Sequence, residues 1–357
     1  MIKLLHSADW HLDSPIYGRT QAQTERLKQA LLDLPGQIVR TAKAQGCDLM
    51  LLSGDLFDGP VSPESLRAVS QALEEAAMPV FVAPGNHDYW GPNSPWNAIR
   101  WPENVHIFTS QTPQSVCLPG LDCRVYGAAF TGPDAGSLLS GFRADGTETV
   151  KLGVFHGDPA QASSPYNPIT ARQILDSKLT YLALGHIHKG GSLELGETLC
   201  AWPGSPMGRG FDELGERGVL IVKVAETCRA EFMPLDTPRF YDWECEAGEA
   251  PSAALQALLP AAGNEDFYRI TLIGESSGVD PEALTREFAR FPNLQLRDKT
   301  VPPIELWAAA GEDTLEGVYF RLLREAMEGQ DEETCRRIQL AAKLSRQLLD
   351  GQEVKLP

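Results

Sequence analysis

Apolar residues fall in short unbroken runs separated by stretches with helical spacing, a pattern that predicts buried strands alternating with covering helices. Residues 2–8, 48–52, 79–82, 105–108, 124–127, 151–155, 179–184 and 218–224 read as strands. Between the first two, Leu27, Leu31, Leu34, Ile38 and Ala42 recur at helical spacing over residues 20–44, with Pro35 forcing a kink or a restart. Ser62-Pro63-Glu64 supplies a capping hydroxyl, a first-turn proline and an acid suited to the helix dipole. Leu66, Val69, Leu73 and Ala76 then continue a buried face. This order predicts an α/β domain of layered sheet and helix.

The pattern changes around Pro234–Pro238, where a domain boundary is expected. Beyond it, residues 267–273 alternate like a half-buried strand, Asp280-Pro281 opens a helix reaching Phe288, and residues 294–297 read as another strand. Residues 313–327 and 331–349 then read as two capped amphipathic helices. Leu315, Val318, Leu322 and Ala326 share one face of the first, and Ile338, Ala341, Ala342, Leu344 and Leu348 are apolar positions of the second. The expected division is 1–238 for the large domain, 239–308 for a small α+β module and 309–357 for a helical hairpin. That hairpin either packs on the small module or grips a partner.

Composition narrows the class. A chain of 357 residues that is 43% hydrophobic and 22% charged suffices for a large and a small domain and is too apolar for disorder. No stretch approaches the roughly 20 apolar residues that span a bilayer. Asp9 follows the first residues too closely for a secretory signal, so the expected location is cytoplasmic. Seven cysteines without a Cys-x-x-Cys pair argue against a disulfide framework and read as reduced and mostly buried. The net charge of −17 shows no basic stripe. A nucleic-acid function would therefore rest on a local patch, on metal ions or on a partner.

Chemistry gathers at the strand ends. Asp9 and His11 stand two apart after the first strand, a chelating spacing or else a polar strand end with a chance histidine. Asp55 follows the second strand, Asn86-His87-Asp88 the third, His156 a later one, and His186 and His188 repeat the spacing of two. His6 and His106 lie off strand ends and read as packing residues. Carboxylate, imidazole and carboxamide without a thiolate suit catalytic manganese, iron or zinc. Seven such ligands exceed one tetrahedral ion, whereas two ions sharing a bridging carboxylate fit, the usual arrangement for phosphoryl transfer. Phosphate-ester hydrolysis calls for enhancements approaching ~10²¹, and a general acid supplies only ~10²–10⁴, so metals would carry most of the load. Trp90, Trp96 and Trp101 in the loop 89–102 read first as packing and second as a base-stacking surface. The turn formers of 202–210 make either a hairpin connection or a rim loop offering Arg209 to phosphate.

In order, Asp9-x-His11, Gly54-Asp55, Gly85-Asn86-His87-Asp88, His156 and Gly185-His186-x-His188 resemble the five motifs of the calcineurin-like metallophosphoesterase superfamily. More narrowly, residues 6–15, 182–189 and Trp202-Pro-Gly-Ser-Pro206 with Glu213 and Gly215 are similar to the SbcD-type DNA-repair exonucleases, YhaO-like branch. The likeness covers about residues 1–240. It implies a metallophosphoesterase β-sandwich flanked by helices, with a capping α+β domain and C-terminal helices. It also implies a manganese-dependent DNA nuclease subunit, exonuclease or endonuclease, acting in DNA repair with an SbcC-type coiled-coil ATPase, and a possible homodimer. One ion would take Asp9, His11, Asp55 and His188, and the other Asp55, Asn86, His156 and His186, with Asp55 bridging. His87 would act on the leaving oxygen or stabilise the transition state, its ring oriented by Asp88. Archaeal and eukaryotic relatives carry a further histidine three residues after the bridging aspartate, where this chain has Asp58, so any help that histidine gives the leaving group is not expected here. Two competing readings remain open: a small-molecule phosphodiesterase or phosphomonoesterase on the same fold, and a scaffold subunit with a silent site.

Overall fold

The computed structural model describes residues 1–16, 20–303 and 305–351, so residues 352–357 of the expected C-terminal hairpin lie outside the described residues. The chain divides into two compact units, Met1–Asp242 with Glu265–Tyr268, and Trp243–Asn264 with Arg269–Pro357.

The first unit opens with β1 (Ile2–Ser7), α1 (Gln21–Ala44), β2 (Leu49–Leu52), α2 (Pro63–Ala76), β3 (Val80–Val82), α3 (Pro95–Ala98) and β4 (Val105–Ile107). It continues through β5 (Gln114–Leu118), β6 (Cys123–Gly127), β7 (Val150–His156), α4 (Ala171–Ser177) and β8 (Tyr181–Gly185). The strands β9 (Lys189–Leu195), β10 (Thr198–Gly204), β11 (Gly218–Val224) and β12 (Cys228–Pro234) follow. Among the described residues these strands form two six-stranded sheets, ordered β12-β11-β1-β2-β3-β4 and β5-β6-β7-β8-β10-β9. In the first, β1 to β4 run parallel and β11 and β12 antiparallel; in the second, β6, β7, β8 and β10 run parallel between antiparallel edges.

Residue alternation assigns the faces. On β1, Ile2 and Leu4 point into a core between the sheets, where they meet Val125, Val154, Tyr181 and Val222. Leu5 points the other way, into a core that Leu27, Leu31, Leu34 and Ile38 of α1 and Val69 and Leu73 of α2 complete. The outer face of the second sheet is covered by Ile174 of α4 with Phe130 and Leu139. The result is helix, sheet, sheet, helix: a mixed α/β fold with two large sheets flanked by helices.

Local signals set the helix ends. Thr20 caps α1 in a reciprocal pair with Gln23, and the Ser62 hydroxyl accepts from the Ser65 amide at the start of α2. Of the kink or restart expected at Pro35, the restart does not occur, because the apolar stripe on either side carries α1 through as one helix. The expected turn at Trp202-Pro203-Gly204 is the last part of β10 instead. Pairing to β8 ends at Ala201, so the missing amide of Pro203 costs no bond on that side, and Trp202 lies across Gly191 of β9.

The second unit carries most of β13 (Phe240–Glu246) and β14 (Phe267–Ile273), and all of α5 (Pro251–Leu258), α6 (Pro281–Glu287), β15 (Leu294–Asp298), α7 (Leu315–Glu325) and α8 (Glu332–Leu349). The three strands form a sheet in the order β13-β14-β15. No helix among the described residues is long and apolar enough to cross a membrane.

Candidate metal centre

The parallel strands of both sheets deliver polar residues to one end of the sandwich. Asp9 and His11 follow β1, Asp55 follows β2, and Asn86 and His87 follow β3, all from the first sheet. His156 ends β7, and His186 and His188 follow β8, from the second. Open α/β sheets place their sites in such positions, where the main chain leaves the strand and polar side chains can converge.

Backbone geometry turns the side chains inward. Asp9, His11, Asp55 and His186 have φ of 55°, 48°, 53° and 93°, a left-handed region that is costly for residues with a Cβ. The segments after β1 and β2 hold one another there, with the Asp9 amide donating to the Gly54 carbonyl, His11 to Asp55 and Leu12 to Leu56. A Cβ on Gly85 would stand 2.2 Å from the Asp55 carboxylate, so the third loop can close on the second only with glycine.

Donor atoms converge in overlapping groups: Asp9, His11 and His188; Asp9, Asp55 and His156; and His11, Asp58 and His87. The His156 Nδ1 faces the Ser53 carbonyl at 2.9 Å, and a carbonyl only accepts, so Nδ1 carries the hydrogen. Its Nε2 then faces the site, 3.2 Å from an Asp55 oxygen and 3.0 Å from the Asn86 Oδ1. Likewise His188 Nδ1 donates to the Glu213 carboxylate at 2.7 Å, and His188 Nε2 lies 3.1 Å from His11 Nε2. The His11 Nδ1 lies 3.5 Å from Asp58. Two imidazole nitrogens this close must share either a hydrogen or a cation between them. Donors at about 2 Å from one ion are roughly 3 Å apart, the separation these pairs show. The donor set fits divalent metal.

The charges agree. Burial alone would push the Asp55 carboxyl up, but His156, His11 and His87 outweigh it and hold it well below the carboxylate range. His156, pushed down by burial, is raised to about 9 by Asp55. Asp58 is held low by the neighbouring rings of His11 and His87, the latter hydrogen-bonded to it. Glu213, despite its burial, is held low by His188 and Arg209. The cleft favours positive charge.

His186 enters differently. Its amide donates to the Asp9 carboxylate, and its ring lies 5.3 Å from His156 and 5.0 Å from Tyr166, centre to centre. Burial and the neighbouring His156 push its pKa down. His87 stands at the rim with its ring 4.9 Å from that of His11, its amide donating to Asp55 Oδ1.

Two expectations change. Asp88 does not orient His87: its buried carboxylate accepts from the amides of Gly85, Asp55 and Leu56, because the turn directs it back beneath the loops. Burial, then the Asp55 charge, pushes it up to about 7. Asp58 faces His87 Nδ1 instead, at 3.0 Å. Arg209 is engaged by Glu213 and Ser14. Glu213, part of the SbcD-type resemblance but given no role there, is the carboxylate that receives His188. Asp212 stands directly before it and Glu216 three residues after, so nothing in the spacing singles Glu213 out as the partner of His188. The Trp96 indole donates to the Asp88 carbonyl and Trp101 to the Trp96 carbonyl, so both pack rather than await a base. His6 is fully buried, whereas His106 is exposed beside Phe108.

A family model for calcineurin-like phosphoesterases matches residues 2–190, from β1 to just past the last strand-end histidine. The chain belongs to the calcineurin-like phosphoesterase family. It is a phosphoric ester hydrolase by that membership. The uncharacterized metallophosphoesterase YhaO of Bacillus subtilis is 32% identical over 241 residues, covering 62% of this chain and 57% of that protein. The SbcD subunit of the SbcCD nuclease of the same organism is 22% identical over 259 residues, covering 60% and 64%. The DNA double-strand break repair protein Mre11 of Aeropyrum pernix is 37% identical over 94 residues, covering 25% and 21%. The chain thus spans less than two thirds of each of these relatives. Among solved structures, a dimetal phosphatase from Danio rerio matches 65% of this chain and 96% of its own at 13% identity, with a TM-score of 0.44. The matched residues 2–190 lie within the first unit and contain all the strand-end donors.

Proposed function

We propose that the chain is a two-metal DNA nuclease subunit that hydrolyses phosphodiester bonds and works in DNA repair with an SbcC-type coiled-coil ATPase. The observation that carries the two-metal reading is the facing of His11 Nε2 and His188 Nε2 at 3.1 Å beside the Asp55–His156–Asn86 group. In it, Asp9, His11, Asp55 and His188 hold one ion, and Asp55, Asn86, His156 and His186 the other. Manganese is the proposed metal and the cytoplasm the proposed location. Bound there, two divalent ions supply positive charge for the phosphoryl oxygens and a nucleophilic water at neutral pH. His87 donates a proton to the leaving oxygen from Nε2, while its Nδ1 hydrogen is held by Asp58. Glu213 and Ser53 fix the tautomers of His188 and His156.

DNA as substrate rests on the relatives named as part of the SbcCD nuclease and as a double-strand break repair protein. The net charge of −17 is unfavourable for gripping DNA alone. A partner supplies the grip, and α7 and α8 offer it a surface, with Leu315, Leu322, Leu348 and Leu349 exposed by 89%, 59%, 65% and 58%. The deciding experiment compares manganese-dependent turnover of linear DNA ends, with and without the ATPase, against cyclic nucleotides and p-nitrophenyl phosphate. Turnover confined to the small substrates would replace the nuclease with a small-molecule phosphoesterase. A metal-loaded chain that binds the ATPase and cleaves nothing would be a scaffold.

A further inference from the structure

The donors come from two different sheets, so their spacing depends on how those sheets are fastened to each other. Ile2, Leu4 and His6 share the inward face of β1, and the first two sit in the apolar core between the sheets. His6, wholly buried at the site end of that core, makes two polar contacts with side chains, beside a hydrogen bond with the Leu184 main chain. Its Nε2 lies 2.6 Å from the Ser53 hydroxyl, in the first sheet's loop after β2, and its Nδ1 lies 2.7 Å from the Tyr181 hydroxyl on β8 of the second sheet. Burial pushes the imidazole down to about 3, so the ring is neutral, with one nitrogen donating and the other accepting.

Ser53 is also the residue whose carbonyl receives His156 Nδ1. The sheets close tightly here: a Cβ on Gly185 would stand 2.1 Å from the Ser53 carbonyl oxygen and 2.9 Å from His156 Nδ1. A Cβ on Gly54 would stand 2.6 Å from the same His156 atom. One polar chain therefore runs Tyr181, His6, Ser53, His156, crossing from the second sheet to the first and back, directly beneath the donors.

Resting on the two-metal reading above, we infer that His6, with Ser53 and Tyr181, is a cross-sheet strut: a positioning residue that sets the separation of the two half-sites and so the pairing of the two metals. A buried polar chain of this kind is worth little to stability when every partner is replaced together by an apolar group of similar shape. Its loss is felt where it fixes geometry, and outer partners of metal ligands typically tune affinity by about 10–100-fold.

The test loads full-length protein with manganese alone and measures stoichiometry and affinity by calorimetry. The pair is followed by its spin-coupled electron paramagnetic resonance spectrum, which reports the distance between the ions. The variants are His6→Phe/Ser53→Ala/Tyr181→Phe, which removes all three side-chain polar groups of the strut together, and Tyr181→Phe, which deletes one hydroxyl and serves if the triple change does not fold. The expected result is a melting temperature near that of the unmodified chain, a second manganese weakened about 10–100-fold, and an altered coupled spectrum. Variants that bind two manganese ions with unchanged affinity and spectrum overturn the strut and leave the two-metal reading standing. An unmodified chain that never binds a second ion overturns both.

Discussion

The Asp58 carboxylate reaches two rings at once, with Oδ1 3.0 Å from His87 Nδ1 and Oδ2 3.5 Å from His11 Nδ1. A single acid thereby aims both the candidate general acid and a candidate metal donor. His87→Ala is expected to keep its metal and lose about 10²–10⁴ in kcat, the contribution of a positioned acid. Asp58→Ala is expected to lose roughly 10–100-fold. The part of that loss that runs through His87 should vanish in the double variant, leaving only the part that runs through His11, so the two losses should not add in full. Turnover of bis-p-nitrophenyl phosphate with bound metal counted by atomic emission decides it. Additive losses would separate the two residues.

Asp88 carries a structural load rather than a catalytic one. Its carboxylate accepts from three main-chain amides and ties the turn after β3 to the loop after β2. Asp88→Ala strands those buried donors and is expected to cost at least about 2 kcal/mol of stability. Urea unfolding measures it. An unchanged midpoint together with a specific fall in kcat would return Asp88 to the role of ring orienter.

Strand-end chemistry was readable because the central strands are uniform apolar runs that stop abruptly at polar residues, as at Leu52 before Ser53 and Val82 before the Gly85–Asp88 turn. The strands missed are mostly at sheet edges: β5, β9, β12 and β13 each border a sheet. An edge strand buries little of either face, so β9, with Gly190-Gly191-Ser192 in its path, shows no apolar run to find. β10 is interior but ends in Trp-Pro-Gly, whose turn chemistry masks it. Which carboxylate faces His87 depends on the direction of a turn, and spacing along the chain does not contain that. Asp58 and Asp88 are equally good acids in sequence, and only the loop geometry separates them.

Asp55 is where the donor groups meet, since its oxygens face His156 at 3.2 Å and His11 at 3.9 Å and accept the His87 amide. Asp55→Ala should bind no metal pair. A ligand that binds only the folded state stabilises by mass action, about 2.7 kcal/mol at a hundredfold excess over Kd. Manganese is therefore expected to raise the Tm of the unmodified chain and leave that of the variant unmoved. A full manganese-induced shift in the variant would remove Asp55 from the site.

Charge sets the expected behaviour toward DNA. With 31 basic and 48 acidic residues, the chain alone should bind duplex no more tightly than a weak non-specific binder, Kd about 10⁻⁵–10⁻⁴ M near physiological salt. Fluorescence anisotropy across a salt series measures both affinity and slope. Tight, steeply salt-dependent binding by the chain alone would mean that it grips DNA without a partner.

Acid should unfold the protein partly through His6. Its folded pKa is pushed down to about 3 by burial, whereas an unfolded histidine titrates near 6.5. Between those values the unfolded state binds the extra proton, so stability is fully present above pH 6.5 and falls as pH drops from 6.5 toward 3. Each pH unit inside the window removes about 1.4 kcal/mol. In His6→Gln nothing at this position titrates. The stability advantage of the unmodified chain over the variant, from urea unfolding with EDTA present, should therefore shrink between pH 6.5 and 4.5. EDTA keeps metal release out of the comparison, and the other carboxylates and histidines are common to both chains. An advantage that stays constant across that range would mean that His6 is protonated in the folded protein, with Ser53 and Tyr181 both accepting from it.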